Sequence, residues 1–555
     1  MTRAAARFGW AALAAGWAVD LLFWQKTPGI SFPLWVALVI AAGLLLARSL
    51  KVRPSPFSLV LIAAAILFAI MTFLRQEMFT LMISYLLCFF SLALLSATFL
   101  TGNWIEYKIG DIIQSGLKYL LALLIRPADL FLRKQPVAPP GPSGPGTAEP
   151  SASDGEAGLP APTLAAAAQG WKSAGSQAIP VARGLLLALP VLLVLGALLA
   201  SADPIFNNWM RDLLKIFDLN KIPEYLFRLF YILIIAYVLA GSYLHAIQPT
   251  TLEARPKPDA RWFQPFLGWT EGVVVLGAVN ILFAVFVGIQ FWYLFGGQAN
   301  ISTSGFTYSE YARRGFNELV MVALLSLGLY LGLGAVGRQE TPGQVKIMVG
   351  LNVLLIVQVL VILASSLNRL LLYEDAYGFT QLRTYTHIFI IWLAVLLAVT
   401  IGLELTRRRR RFALVGLLVT FGFGLTFGLI NIDGFIARQN IQRAQGDVSL
   451  DGRYLTALSS DAVPVLIAEY QRFGLSQAVT DTLGAELACR EALLSIQDKE
   501  TTSWLSYNLS KATAASLLRS SHALWQDYQV QKKDNGLVVS LPGGDHLCQL
   551  TRWMD

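Results

Sequence analysis

Four short segments of this chain set arginine, carboxylate, tyrosine and asparagine against the ends of long apolar runs. Tyr308, Tyr311, Arg313, Arg314 and Glu318 precede or open one run, and Arg369, Tyr373, Glu374 and Tyr377 close the next. Arg383 and His387 open the run after it, and Asn431, Asp433 and Arg438 follow the last. Guanidinium groups suit a phosphate or carboxylate, which they grip with two parallel bonds. Glu310 and Arg314, and Arg314 and Glu318, have the spacing that puts a pair on one helical face. Charge beside a membrane is costly unless paired or wetted, so a network of Arg, Glu, Asn and Tyr is expected here. Two uses of it stay open. Either it seats a C-terminal domain on a helical bundle, or it lines a polar groove for an anionic extracytoplasmic ligand or a protein partner. In the second case Arg313, Arg314, Arg369, Arg383 and Arg438 are the anion-facing set. His387 could titrate there, though a lone histidine is more often a hydrogen-bonded packing residue.

Other chemistry is not legible. No phosphate-binding loop, His-Glu-x-x-His or Gly-x-Ser-x-Gly motif occurs. His245, His387, His522 and His546 are far apart in sequence, so no metal site and no cofactor are expected. Cys88 falls in an apolar block and reads as a small core residue, whereas Cys489 and Cys548 share a polar region and could form one disulfide if that region is extracytoplasmic.

The elements that must carry these residues are membrane spans. Apolar residues make up 55% of the chain and charged residues 14%, against about 25% charged in soluble domains. About eleven runs have the length needed to cross hydrocarbon: Phe8–Trp24, Ser31–Ala47, Phe57–Leu74, Met78–Thr101, Arg183–Ser201, Glu224–Ala246, Glu271–Phe295, Asn317–Gly337, Val345–Leu372, Tyr385–Leu405 and Phe412–Leu429. Lys and Arg crowd alternate connections, from Arg3 and Arg7 through Arg48, Lys51 and Arg53 to the run Arg407–Arg411. The positive-inside rule therefore puts the N-terminus in the cytoplasm and, with an odd number of spans, the C-terminal region outside. The net charge of +8 follows from those connections. Nucleic acid is not an expected partner, because no basic stripe with interleaved aromatics appears. The arginine run reads as a cytoplasmic pin. Asn280, Gln290, Asn352 and Gln358 lie mid-span and should bond helix to helix. Asp20, Glu271 and Glu404 lie near span ends, within reach of headgroups or water. Gly328–Gly332 and Gly424–Gly428 have the small-xxx-small spacing of close helix packing.

Residues 1–133 form a four-span block ending in an interfacial helix, Ile109–Leu132, and 134–168 a Pro/Gly/Ala-rich cytoplasmic linker too poor in large apolar groups to bury a core. Residues 169–430 form a seven-span core block that includes a second amphipathic segment, Pro204–Leu219. Residues 431–555 form an extracytoplasmic polar domain. In that domain Leu455, Leu458, Val463, Leu466, Ile467 and Tyr470 recur at helical spacing, and Leu475–Gln497 and Thr502–Gln526 read as further helices. Asn535-Gly536 inside Tyr528–Leu541 signals a terminal β-hairpin. The fold class is thus an all-α polytopic membrane protein with a small, mainly helical C-terminal extracytoplasmic domain ending in a β-hairpin.

The segments Tyr308-Ser-Glu-Tyr-Ala-Arg-Arg-Gly-Phe316, Leu372-Tyr-Glu-Asp-Ala-Tyr-Gly-Phe-Thr-Gln-Leu-Arg383 and Asn431-Ile-Asp-Gly-Phe-Ile-Ala-Arg-Gln-Asn440 resemble a bacterial membrane family known only as domain of unknown function 4153/4173. Leu450–Leu455 and Ser460–Pro464 share the likeness, which runs from about Arg183 to Ala515 and leaves out the first four spans and the hairpin. The resemblance implies a multi-spanning bacterial protein with a polar C-terminal segment, and no established activity. Three functions compete: an envelope sensor, scaffold or partner-binding subunit in the cytoplasmic membrane, a transporter of a small polar solute, and a membrane glycosyl- or lipid-transferase. The missing midplane charge weighs against the second. The short first outer loop, Gln25–Ile30, has no acidic pair, which weighs against the third. The first, non-enzymatic reading is preferred. Its partners are the lipid bilayer and either another membrane or envelope protein or the anionic ligand.

Overall fold

Apolar runs broken by Gly, Pro and basic residues become helices wherever they are long enough to satisfy their own backbone in lipid. The computed structural model describes residues 3–132, 203, 221–247, 266–295, 316–338, 341–445, 449–497, 503–533, 536–542 and 544–548. The chain forms a large unit, Met1–Leu132 with Ile232–Asp555, and a second unit, Arg133–Tyr231. Of the second unit, the described part is Asp203 and the first turns of one helix. The expected linker 134–168, the span Arg183–Ser201 and the segment Pro204–Leu219 lie outside the described residues.

The first helices are α1 (Arg3–Phe23), α2 (Ser31–Ser49), α3 (Pro56–Leu74), α4 (Met78–Thr98) and α5 (Ile109–Leu132). There follow α6 (Ile222–Ile247), α7 (Trp269–Phe295), α8 (Phe316–Val336), α9 (Pro342–Tyr377), α10 (Gln381–Leu405) and α11 (Phe412–Leu429). Among the described residues nine helices, α2–α4 and α6–α11, are long and apolar enough to cross a membrane. α1 has comparable length but, diluted by alanine, glycine and basic residues, is not one of them.

In the large unit, one apolar core joins α1, α2, α3 and α4 to α6 and α11, and another joins α7, α8, α9 and α10. α6 and α11 thus pack on the first helices although they follow them at a distance in sequence. Of the two glycine pairs, only one packs. A side chain at Gly424 would collide with Leu87 and one at Gly428 with Met71, so α11 lies close against α4 and α3. Among the described residues Gly328 and Gly332 have nothing within 4 Å of a would-be Cβ, so the close packing expected there is not made by them. α5 presents Ile113, Leu117, Leu120, Leu121 and Leu124 outward, an exposed apolar stripe of the kind that lies in an interface. Glu404 and Asp20 also depart from expectation. Both are buried, and Glu404 is held by Arg409 at 2.5 Å and by the Asn352 amide at 3.1 Å. One member of the arginine run is therefore an internal counter-ion.

The C-terminal part holds α12 (Ile432–Arg443), α13 (Gly452–Thr456), α14 (Val463–Tyr470), α15 (Gln477–Gln497) and α16 (Leu509–Ser520). Leu455, Leu458, Val463, Leu466 and Ile467 are buried as their spacing required. The expected hairpin is the first half of a larger element. β1 (Val530–Lys533), β2 (Gly536–Leu541) and β3 (Gly544–Cys548) form an antiparallel sheet in the order β1-β2-β3. Leu541 pairs with Gly544, whose φ of +123° suits glycine. The sheet packs on α15, where Cys489 and Cys548 are joined as a disulfide with Cα atoms 5.2 Å apart. This core runs without a break into the span ends through Ile388, Phe427 and Ile432.

Candidate functional site

Helix α9 has 36 residues, about 54 Å at 1.5 Å per residue, and overshoots the ~30 Å of hydrocarbon. Its last turns carry Arg369, Tyr373, Glu374 and Tyr377. It ends because Gly378 takes φ +81°, with Asn440 and Arg443 so close that a Cβ there would meet the Asn440 Oδ1 at 2.9 Å. Asn440 then holds the corner from both sides, accepting from the Phe379 N–H at 2.7 Å and donating to the Phe379 carbonyl at 2.9 Å. Arg443 donates to the carbonyls of Asp375 and Ala376.

This corner brings five of the expected residues together. The Arg383 guanidinium lies 4.0 Å from the centre of the Tyr373 ring and donates to the Gly378 carbonyl. Tyr373 and Tyr377 meet edge to face at 5.0 Å. Beneath them Glu374 is 1% exposed, with His387 Nδ1 3.5 Å from its Oε2. Among the described residues neither Glu374 oxygen accepts a hydrogen bond. A carboxylate buried without a hydrogen bond costs several kcal/mol in principle, so the surroundings of Glu374 are chemically incomplete. The arrangement can receive a hydrogen-bond donor or a cationic group at Glu374, beside an arginine and two aromatic faces.

The remaining expected residues do not converge there. Arg369 reaches back to the Gln290 side chain on α7 at 3.1 Å. Arg438, more than half exposed, faces Glu469 at 3.5 Å. Glu318 stands exposed in the first turn of α8. Tyr308, Tyr311, Arg313 and Arg314 lie outside the described residues. The described arginines of the anion-facing set are thus dispersed, each with its own partner in the fold.

Asn431 and Asp433 belong to a second cluster, which holds the C-terminal helices on the ends of the spans. Asp433, fully buried, accepts from the Gln381 side chain at 2.8 Å and the Ser459 N–H at 2.7 Å. Burial raises its carboxyl above the ordinary aspartate range, against the lowering effect of those hydrogen bonds. Asn431 caps α12 through the Gly434 N–H and donates to the Asp461 carbonyl. Asp461 accepts the N–H groups of Gln76 and Glu77, and Glu77 in turn caps α4 and accepts from the Tyr385 hydroxyl. The Tyr454 hydroxyl, whose pKa burial pushes up to about 12, accepts from the Gln381 N–H. Asn508 ties the domain to the end of α3 through the carbonyls of Thr72 and Arg75. Sequence reasoning missed Glu77, Gln381, Tyr454, Asp461 and Asn508. A capping signal was available at Asn508, which precedes a helix; Glu77 and Asp461 give no sign in sequence that they meet.

Within the domain Glu486 is fully buried against Arg490 at 2.6 Å, Thr456 at 2.8 Å and His546 at 3.1 Å. Burial alone would push this carboxyl up, but the Arg490 charge and the three hydrogen-bonding side chains together hold it below the ordinary range. Among the described residues no group of three or more His, Cys, Asp or Glu is placed to hold a metal.

A family model described as Domain of unknown function (DUF4153) matches residues 34–469. The match begins in α2, so the family takes in α3, α4 and most of α2, which the sequence likeness left out, and it stops at the end of α14. No curated protein and no solved structure matches the chain. A match over most of the chain is decisive: this multi-pass helical membrane protein belongs to the DUF4153 family.

Proposed function

We propose, with that membership as premise, that the protein is a bacterial cytoplasmic-membrane subunit that binds an envelope partner at the corner between α9 and α10. Its N-terminus is cytoplasmic and its C-terminal domain extracytoplasmic. The Lys/Arg asymmetry of the connections supports this orientation, with about eleven spans in the full chain. The observation that carries the binding reading is Glu374, a buried carboxylate that accepts no hydrogen bond among the described residues, beside His387, Arg383 and Tyr373. A partner supplying a lysine, arginine or hydroxyl would satisfy it, and the aromatic faces of Tyr373 and Tyr377 would shield the pair from water. The described ionisable groups of α9 and α10 stand near helix ends, so the transporter reading gains no support from them.

Two measurements test it. A cysteine at Phe473, which is fully exposed, should react with a membrane-impermeant maleimide in intact cells; reaction only after lysis overturns the orientation. In cells lacking the gene, Glu374→Gln and Glu374→Ala should both fail to restore the wild-type phenotype at equal membrane abundance, while Arg410→Gln restores it. Complementation by both Glu374 variants overturns the site.

A further inference from the structure

A separate feature lies among α1, α2, α3, α4, α5 and the part of α6 from Ile234 onward. These helices line a cavity of about 630 Å³, within the ~300–1,000 Å³ range of ligand sites. Phe23, Phe32, Trp35, Phe89, Leu92 and Val238 make its walls apolar. Its few polar atoms are already used. Ser242 Oγ meets Ser96 Oγ at 2.9 Å and accepts from the Tyr119 hydroxyl at 3.1 Å, while the Tyr243 hydroxyl donates to the Val39 carbonyl at 3.0 Å. Nothing in the wall asks for a polar ligand, and an apolar cavity does not hold water. Along α2 the lining runs from Phe32 to Leu44, about 18 Å of helix axis and over half of the ~30 Å hydrocarbon thickness. One turn past Leu44, on the same face of α2, Arg48 is exposed and Lys51 follows it. A long, dry, apolar slot with cationic side chains one turn beyond its lining on α2 has the charge and shape of one class of molecule.

We infer that this cavity holds one acyl chain of a membrane glycerophospholipid, with the lipid phosphate at Arg48. The chain replaces side-chain packing that α1, α2 and α6 do not supply, and makes the lipid a structural part of the first helical block.

The test uses the full-length protein in mild detergent, washed extensively and analysed by mass spectrometry for bound phospholipid. About one phospholipid per chain should remain. Ala93→Phe and Ala246→Phe, which fill the cavity, should lower that by about tenfold or more, and Arg48→Gln should lower it several-fold. Should the filled variants fail to fold, the wild type decides: phospholipid with brominated acyl chains should quench the part of the tryptophan emission that Trp35→Phe removes. Unchanged lipid content in folded filled variants, or no quenching of Trp35, overturns the inference. So does cross-linking of a cysteine at Ala93 to segment 183–201 in washed protein, because the occupant is then the chain itself.

Discussion

Asp461 and Glu77, 384 positions apart, share one hydrogen bond: the Asp461 carboxylate accepts the Glu77 N–H at 3.0 Å and the Gln76 N–H at 2.8 Å. A residue of the C-terminal domain thereby closes the entry to α4, and Glu77 caps the same helix from within. The domain is held to the spans by caps on helix ends, where free N–H groups and the helix dipole favour carboxylates.

Asp461→Ala should therefore destabilise the solubilised protein by about 1–3 kcal/mol, the cost of leaving buried donors unmet. Asp461→Asn, which keeps an acceptor oxygen, should recover part of it. Thermal unfolding, with limited proteolysis to report release of the domain, measures both. Equal melting of wild type and Asp461→Ala would remove the cap from the account.

The Glu486 cluster gives a pH dependence. Arg490, His546 and Thr456 hold its carboxyl below the ordinary value of 4.5. An acid shifted down on folding contributes stability that is complete above its unfolded pKa and lost as pH falls through the lower folded value. Domain stability should drop in acid, below about pH 4.5, more steeply in the wild type than in Glu486→Gln. At neutral pH, Glu486→Ala should cost about 3–5 kcal/mol by stranding Arg490. Parallel pH–melting curves for wild type and Glu486→Gln would contradict the assignment.

The glycines of α11 and α8 should respond oppositely. Gly428→Val would press on Met71 and should destabilise the protein by about 1–3 kcal/mol. Gly332→Val meets open space among the described residues and should stay within about 0.5 kcal/mol. Melting temperatures of the two variants provide the comparison.

Cys489 and Cys548 should be oxidised in protein taken from an extracytoplasmic environment. Alkylation of unfolded, unreduced protein should then modify Cys88 alone, and all three cysteines after reduction. Replacing both by serine should cost about 2–4 kcal/mol, because 59 residues separate the bonded pair. Three alkylated cysteines before reduction would show that no bond forms.

The local parts of this fold were legible because they follow from periodicity. Spans show as apolar runs, α5 as an amphipathic stripe, α14 as Val463, Leu466, Ile467 and Tyr470 recurring at helical spacing. The first turn of the sheet was legible in Asn535-Gly536, whereas its third strand, beyond Leu541-Pro-Gly-Gly544, was short, polar on one face and easily taken for a tail. The sequence alone also set the polar segments at the helix mouths, including Glu374, Arg383, His387 and Asp433. It could not sort them. Glu374 and His387 meet only because Gly378 turns the chain back on itself, while Asp433 is drawn to Ser459 and Gln381 by the docking of a domain. Composition and spacing decide what each helix can bury and which solvent it needs. Which carboxylate finds donors, and which is left without them, depends on contacts between distant segments, and those the tertiary structure decided.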